Sequence, residues 1–270
     1  MKYLLFAFTF ITFLVYPKFE NDDMYVITYK TSHKLFNDWD RYFEEYSVLL
    51  VHEDKSLYQS LNKMRKDSLS MINKSEELRT NNEYFTFNNY VIESKEDKTE
   101  FFSSIGPDLY HYAEKINFDW KITSEKKTIK GYQCYKATVD YAGRSWTAWF
   151  ASEISVPFGP YKFKGLPGLI VSIHDSTNSY KFEVDELKVK TYTPFRDFFL
   201  NSNTEINEVS RSNFNKIEFV FNGLSLNEKL NFNKEQKNAM FVELESDGTT
   251  PLRDTSNTRK NNNSNPIELH

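Results

Sequence analysis

Apolar and polar residues alternate in short runs along most of this chain, with the two-residue period of a strand. Tyr25-Val26-Ile27-Thr28-Tyr29 predicts the first strand and Ser47 to His52 the second. From Lys55 to Leu78 the apolar residues Leu57, Leu61, Met64, Leu69 and Ile72 fall at a loose helical spacing, which predicts a marginal helix. Tyr84-Phe85-Thr86-Phe87 and Tyr90-Val91-Ile92 read as a strand pair around an Asn88-Asn89 turn. Leu109 to Tyr112 and Phe118 to Ile122 continue the series, and Ser124 to Thr128 reads as a charged turn. Beyond Val189 the alternation weakens, and Thr193-Pro194 breaks it. Ile217 to Phe221 is one more strand candidate, while Glu205–Asn213 and Ser225–Glu245 predict one or two surface helices.

The stretch from Tyr141 to Asp175 organises the rest. Thr138–Tyr141 and Ser145–Phe150 are β-branched and aromatic, and Ala142-Gly143 between them suits a tight hairpin, with Gly143 able to take positive φ. Alternation puts Trp146, Ala148 and Phe150 on one face of the second arm and Ser145, Thr147 and Trp149 on the other, so both faces are expected to be covered. Arg144 is placed to stack on one of these indoles or pair with a nearby carboxylate. Pro157-Phe158-Gly159-Pro160 and Gly165-Leu166-Pro167-Gly168 are turn clusters, and the second predicts a type II turn with Gly168 at its third position. Leu169-Ile170-Val171-Ser172-Ile173 then reads as a buried strand, paired with Tyr180–Val184 through a turn at Ser176–Ser179. The Gly165/Gly168 spacing is not a phosphate loop: no Lys-Ser/Thr follows, and a strand follows in place of a helix.

Gly165 to Ile170 spells GLPGLI, and the chain resembles the GLPGLI family, exported Bacteroidetes proteins without an established activity. Upstream, Trp120, Ile122, Gly131-Tyr132, Cys134, Gly143-Arg144, Ala148-Trp149-Phe150 and Glu153-Ile154 are similar to the family's spaced pattern. Asn265 to Leu269 resembles its usual ending. Val156-Pro157-Phe158 departs from the commoner Ile-Pro order, which touches only local turn geometry. The resemblance carries over no catalytic residue.

Met1-Lys2 and the uncharged, mostly apolar run Tyr3–Tyr16 have the plan of a secretory signal, too short for a comfortable membrane span. The expected division is a signal peptide over 1–18, a β-rich domain over 19–245 and a disordered polar tail over 246–270. That implies an exported protein, periplasmic or secreted, without a membrane span once the signal is cut. A net charge of −4 argues against nucleic acid. The single cysteine, Cys134, sits in the strand-like run Tyr132–Val139 and is expected to be a buried thiol. Five histidines are scattered without metal-ligand spacing, and His174 and Asp175, as strand neighbours, point to opposite faces. No catalytic residue, metal or cofactor is therefore expected, and Glu153 finds no second carboxylate by spacing.

The fold class expected is mainly β: a single curved antiparallel sheet, an open half-barrel being one form of it, with one or two peripheral helices. The leading function is non-catalytic binding or carriage of an apolar ligand or peptide on an aromatic-lined concave face. The alternatives are an accessory partner of an outer-membrane complex, working through an exposed apolar patch, and a hydrolase with an unrecognised titratable pair. Arg144, Trp146, Trp149 and Phe163 are the expected ligand-lining residues, with Gly165, Leu166, Pro167, Gly168, Leu169 and Ile170 shaping the central turn and strand.

Overall fold

In the computed structural model the described residues are 23–38, 40–71, 84–195, 205–225, 229 and 267–268. Their strands form one sheet. β1 (Asp23–His33) lies at its middle. One wing runs outward as β2 (Phe43–His52), β3 (Lys55–Ser60), β4 (Tyr90–Lys95), β5 (Lys98–Ile105) and β6 (Asp108–Lys115). The other runs inward along the sequence, from β7 (Lys121–Ile129) at the edge through β8 (Tyr132–Tyr141), β9 (Arg144–Ala151) and β10 (Leu169–Asp175) to β11 (Tyr180–Thr191), which pairs with β1. A short β12 (Ile206–Glu208) adds to β6 in parallel, the one parallel pairing in a twelve-stranded sheet that is otherwise antiparallel. β12 and β7 are the two ends of the order, so the sheet stays open.

Two meanders meeting on one central strand keep most pairings between sequence neighbours, which limits the loop-closure entropy of a large sheet. The sheet curves. Tyr112 on β6 and Trp146 on β9, far apart in strand order, both reach the same inner segment: Tyr112 through a 3.1 Å bond to Lys162, Trp146 through ring contact with Phe163 at 4.7 Å.

The central strands are buried on both faces, and this explains the unbroken apolar run of β2. Leu49, Val51, Tyr58 and Ile92 join the large inner core; Val48, Leu50, Leu57 and Val91 join a smaller outer one, with Met24, Phe102 and Phe195. The outer core is roofed by Met64 of helix α1 (Leu61–Met71) and by Tyr192. Helix α2 (Arg211–Gly223) lies over the inner side of β5 and β6, its Phe214 ring 5.5 Å from Phe101 and 5.2 Å from Tyr112.

Several local expectations are corrected. Lys55–Ser60 is a strand, because Leu57 and Tyr58 each find a core on opposite faces between β2 and β4; the helix begins only at Leu61, after Ser60, whose Oγ accepts from the Lys63 amide at 3.4 Å. Residues 72–78 of that expectation lie outside the described residues. Tyr84–Phe87 makes no strand, since Thr86 and Asn88 spend their side chains on Glu45. Ser124–Thr128 is no turn: it lies within β7, an exposed edge strand where charge blunts pairing, and the chain reverses at Lys130-Gly131. Phe118 and Trp120 precede that strand. Ile217–Phe221 is helical, since Phe214, Ile217 and Phe221 share one face and Ser210 caps the start by accepting from the Asn213 amide at 3.1 Å. Within Glu205–Asn213, residues 206–208 are strand and the helix starts at Arg211. Ser225–Glu245 lies outside the described residues except for 225 and 229.

Candidate functional site

The hairpin between β8 and β9 turns through Ala142 and Gly143, both at positive φ (51° and 78°), the type I′ geometry that matches strand twist. It delivers Arg144 to the inner face. There the guanidinium donates to Asp175 at 2.8 Å, the expected carboxylate, and lies at 5.0 Å over the ring of Tyr180, not over an indole. Asp175 is buried and also accepts from the Tyr180 amide at 2.8 Å and from Thr177, capping the β10–β11 turn. His174, its neighbour, is half-buried on the other face and its pKa is lowered by burial and by Lys127 and Lys181.

Between β9 and β10 the chain leaves the sheet at Ala151 and crosses the inner face before returning at Leu169. Val156, Phe158, Tyr161, Lys162, Phe163 and Leu166 of this crossing are all buried. Its backbone is held on itself: Gly159 N donates to Phe163 O at 2.9 Å and Gly165 N to Pro157 O at 2.8 Å. Trp120, just before β7, holds it too, its Nε1 donating to Lys164 O at 2.8 Å, and Tyr29 Oη of β1 donates to Ile170 O of β10, just past the crossing, at 2.7 Å. The expected type II turn is replaced by a tighter one. Gly168 N donates to Leu166 O at 2.8 Å across Pro167, a three-residue γ-type turn, and Gly168 sits at φ +150°. A Cβ there would lie 2.2 Å from the Ala151 carbonyl oxygen, so the crossing enters β10 where only glycine fits.

The four residues expected to line a ligand surface divide. Trp146 and Phe163 touch each other in the inner core, 1 % exposed each. Trp149 faces outward on β9 and is covered by the Lys127 ammonium, 4.0 Å above its ring. Arg144 reaches, besides Asp175, the backbone carbonyl of Ile267, which accepts from its Nε at 3.1 Å. Trp146, Phe163 and Arg144 are thus brought together; Trp149 is not.

The residue that the sequence pattern did not single out is Lys162. Its side chain is fully buried, yet its ammonium donates to Glu114 at 2.6 Å, to Glu268 at 2.9 Å and to Tyr112 Oη at 3.1 Å, and it sits over the Phe101 ring. Glu268, near the end of the chain, accepts on Oε1 from Tyr161 Oη at 2.7 Å and from Tyr141 Oη at 2.9 Å, and on Oε2 from Arg211. Arg211 also donates to Glu114 at 2.8 Å. Burial alone would raise the Glu268 carboxyl; the Lys162 charge and hydrogen bond, the Tyr161 bond and Arg211 together hold it below the usual range. Burial and the facing Glu268 carboxylate push the Tyr141 and Tyr161 hydroxyls up, so both stay donors. Of the expected disordered tail, only Ile267 and Glu268 are described, and they pack on the inner core. The one signal for this was the resemblance of Asn265–Leu269 to the family's ending.

A second buried carboxylate, Glu45 on β2, accepts from Ser60 at 2.9 Å, Thr86 at 2.7 Å and Asn88; burial raises its pKa. Near it Phe43, Phe85 and Phe87 form an edge-to-face cluster with rings 4.7–6.4 Å apart, and Phe85 and Phe87 remain about half exposed. The Glu268 and Glu45 carboxylates are both engaged by the chain's own donors, as is that of Asp67 by Lys63, while burial raises the Glu218 carboxyl on α2. Cys134 is buried and its pKa is pushed up to about 11, so it is a thiol and not a nucleophile at neutral pH.

Residues 140–172, from the tip of the β8–β9 hairpin into β10, match a family described as a protein of unknown function (Porph_ging). No curated protein matches the chain. Among solved structures, two of PNGF-II are similar: in the C2 space group the TM-score is 0.55 at 18 % identity, covering 74 % of this chain and 33 % of that one. In the P21 space group the TM-score is 0.55 at 17 % identity, covering 74 % and 34 %. The chain therefore corresponds to about a third of the length of PNGF-II, and at this identity the likeness is one of fold.

Proposed function

We propose that this chain is an exported, non-catalytic binding protein of the GLPGLI family, and that what it binds is a peptide or protein segment. The observation that carries the reading is how the concave face is used. It holds two stretches of chain outside the strands, the crossing 152–168 and the dipeptide Ile267-Glu268, and donors from elsewhere in the molecule bond them: Trp120 to the Lys164 carbonyl, Arg144 to the Ile267 carbonyl, Tyr141 to the Glu268 carboxylate. Side chains that bond main-chain carbonyls suit a polypeptide ligand better than a lipid tail, which offers no acceptors. Trp146, expected to line a ligand surface, packs on Phe163 of the crossing instead.

The accessory reading has its own support in Phe85 and Phe87 (55 % and 48 % exposed), which pack on Phe43 at the start of β2. Native mass spectrometry of the protein purified from the envelope of its own cells tests both. A co-purifying peptide or protein chain would support the peptide-binding reading, and a co-purifying lipid would overturn it. Export is checked separately, by fusing residues 1–25 to a reporter active only outside the cytoplasm.

A further inference from the structure

The Glu268 slot is built as a receptor. Its four donors come from three places in the chain: Tyr141 on β8, Tyr161 and Lys162 on the crossing, and Arg211 on α2. Three of them converge on one carboxylate oxygen and the fourth takes the other. Arg144 reads the carbonyl of the preceding residue, and the Ile267 side chain packs on the inner core. An apolar residue followed by a glutamate is thus recognised through side chain, main chain and charge.

The charges explain why the slot needs an occupant. Lys162 and Arg211 face Glu114 and Glu268, two cations against two carboxylates, and the Lys162 side chain has no exposure. Without Glu268 the buried Lys162 ammonium and the partly exposed Arg211 are left to share the single carboxylate of Glu114. The occupant is also remote: Glu268 lies 107 residues from Tyr161 and 57 from Arg211 along the chain. A carboxylate delivered over such distances is a ligand that happens to be tethered.

We propose that this slot is a recognition site for an acidic peptide of the form apolar residue–glutamate, that Ile267-Glu268 fills it in cis, and that a partner segment of the same chemistry displaces the tail. The proposal rests on the peptide-binding reading above and names the peptide. Tethering gives the cis tail an effective concentration on the order of millimolar, so a free peptide competes poorly with an intact chain. Cutting the tether removes that advantage without touching the slot.

The test is therefore a full-length chain carrying a protease recognition sequence between residues 250 and 260, folded intact and then cut. After cutting, the fragment carrying Glu268 is expected to co-elute with the body on gel filtration. Excess labelled peptide Asn265–His270 should displace it with saturable, one-to-one binding, and the same peptide with Glu268→Gln should bind at least about tenfold more weakly. Immediate loss of the cut fragment, equal binding of the two peptides, or a fragment that no peptide displaces would each overturn the proposal. In the last case the slot is a fixed brace, and a partner chain found by native mass spectrometry would still support the peptide-binding reading at another surface.

Discussion

Gly168 and Gly165 differ by what surrounds them. At Gly168 a Cβ would meet the Ala151 carbonyl at 2.2 Å, whereas at Gly165 it would meet open space, with only φ +89° against it. Gly168→Ala is expected to cost at least about 2 kcal/mol and Gly165→Ala about 1 kcal/mol, read as urea midpoints of the two variants. Equal losses would mean that strain alone, without the close approach to β9, sets the glycine requirement. His33 supplies a pH dependence. It is 4 % exposed, stacked on Tyr180 at 5.6 Å, and burial lowers its pKa to about 4. A depressed histidine stays neutral in the fold while the unfolded chain takes up its proton, so the stability it contributes is whole above pH 6.5 and is lost as pH falls toward 4. The size is about 3 kcal/mol, and His33→Phe should flatten the difference between unfolding at pH 7 and at pH 4.5. Glu45, whose pKa is raised, works in the opposite direction and is unchanged by that substitution. At this scale the sequence was legible where chemistry is local: Arg144 was expected to take an indole or a carboxylate, and it takes the Asp175 carboxylate, with Tyr180 in place of an indole. It was not legible for Lys162, because nothing in Pro160-Tyr161-Lys162-Phe163-Lys164 distinguishes a buried ammonium from a solvated one.

Elements were legible where strands alternate or turns carry glycine, as in the β8–β9 hairpin and the β10–β11 pair. They were misread where one pattern serves two structures. Charge in Ser124–Thr128 resembles a turn, yet it also suits an edge strand, and only sheet order tells them apart. The apolar run Ile217–Phe221 resembles a strand when read alone; with Phe214 and the Ser210 cap included, its helical face emerges. Ser210→Ala is expected to remove about 1 kcal/mol and to fray α2 from its start, with thermal unfolding as the readout. A loss near zero would show that the packing of Phe214 and Ile217 alone fixes the helix. Leu57 to Leu61 failed for a related reason: strand β3 and helix α1 abut without a loop, so their apolar residues ran together into one apparent period.

The whole molecule is an open sheet folded around its own chain. Its general class followed from many short alternating segments. The occupancy of its concave face did not, because it depends on contacts such as Lys162–Glu268 that span 106 residues. Lys162→Met removes the cation between Glu114 and Glu268 and is expected to destabilise by about 3 kcal/mol, the penalty of leaving buried carboxylates short of charge. Lys162→Met combined with Glu268→Gln should recover part of that loss, and a double variant as unstable as the sum of the singles would contradict the pairing. The central claim is that the crossing, residues 152–168, is packed and hydrogen-bonded on the inner face, although it forms no regular element. Native-state hydrogen exchange followed by mass spectrometry tests it most directly. Peptides covering 154–170 are predicted to exchange as slowly as those of β1 and β10, since the amides of Gly159, Phe163, Gly168 and Ile170 are bonded at buried residues and that of the exposed Gly165 is bonded to the Pro157 carbonyl. Exchange of that segment within seconds, while β1 stays protected, would mean that the concave face stands open and would contradict the account.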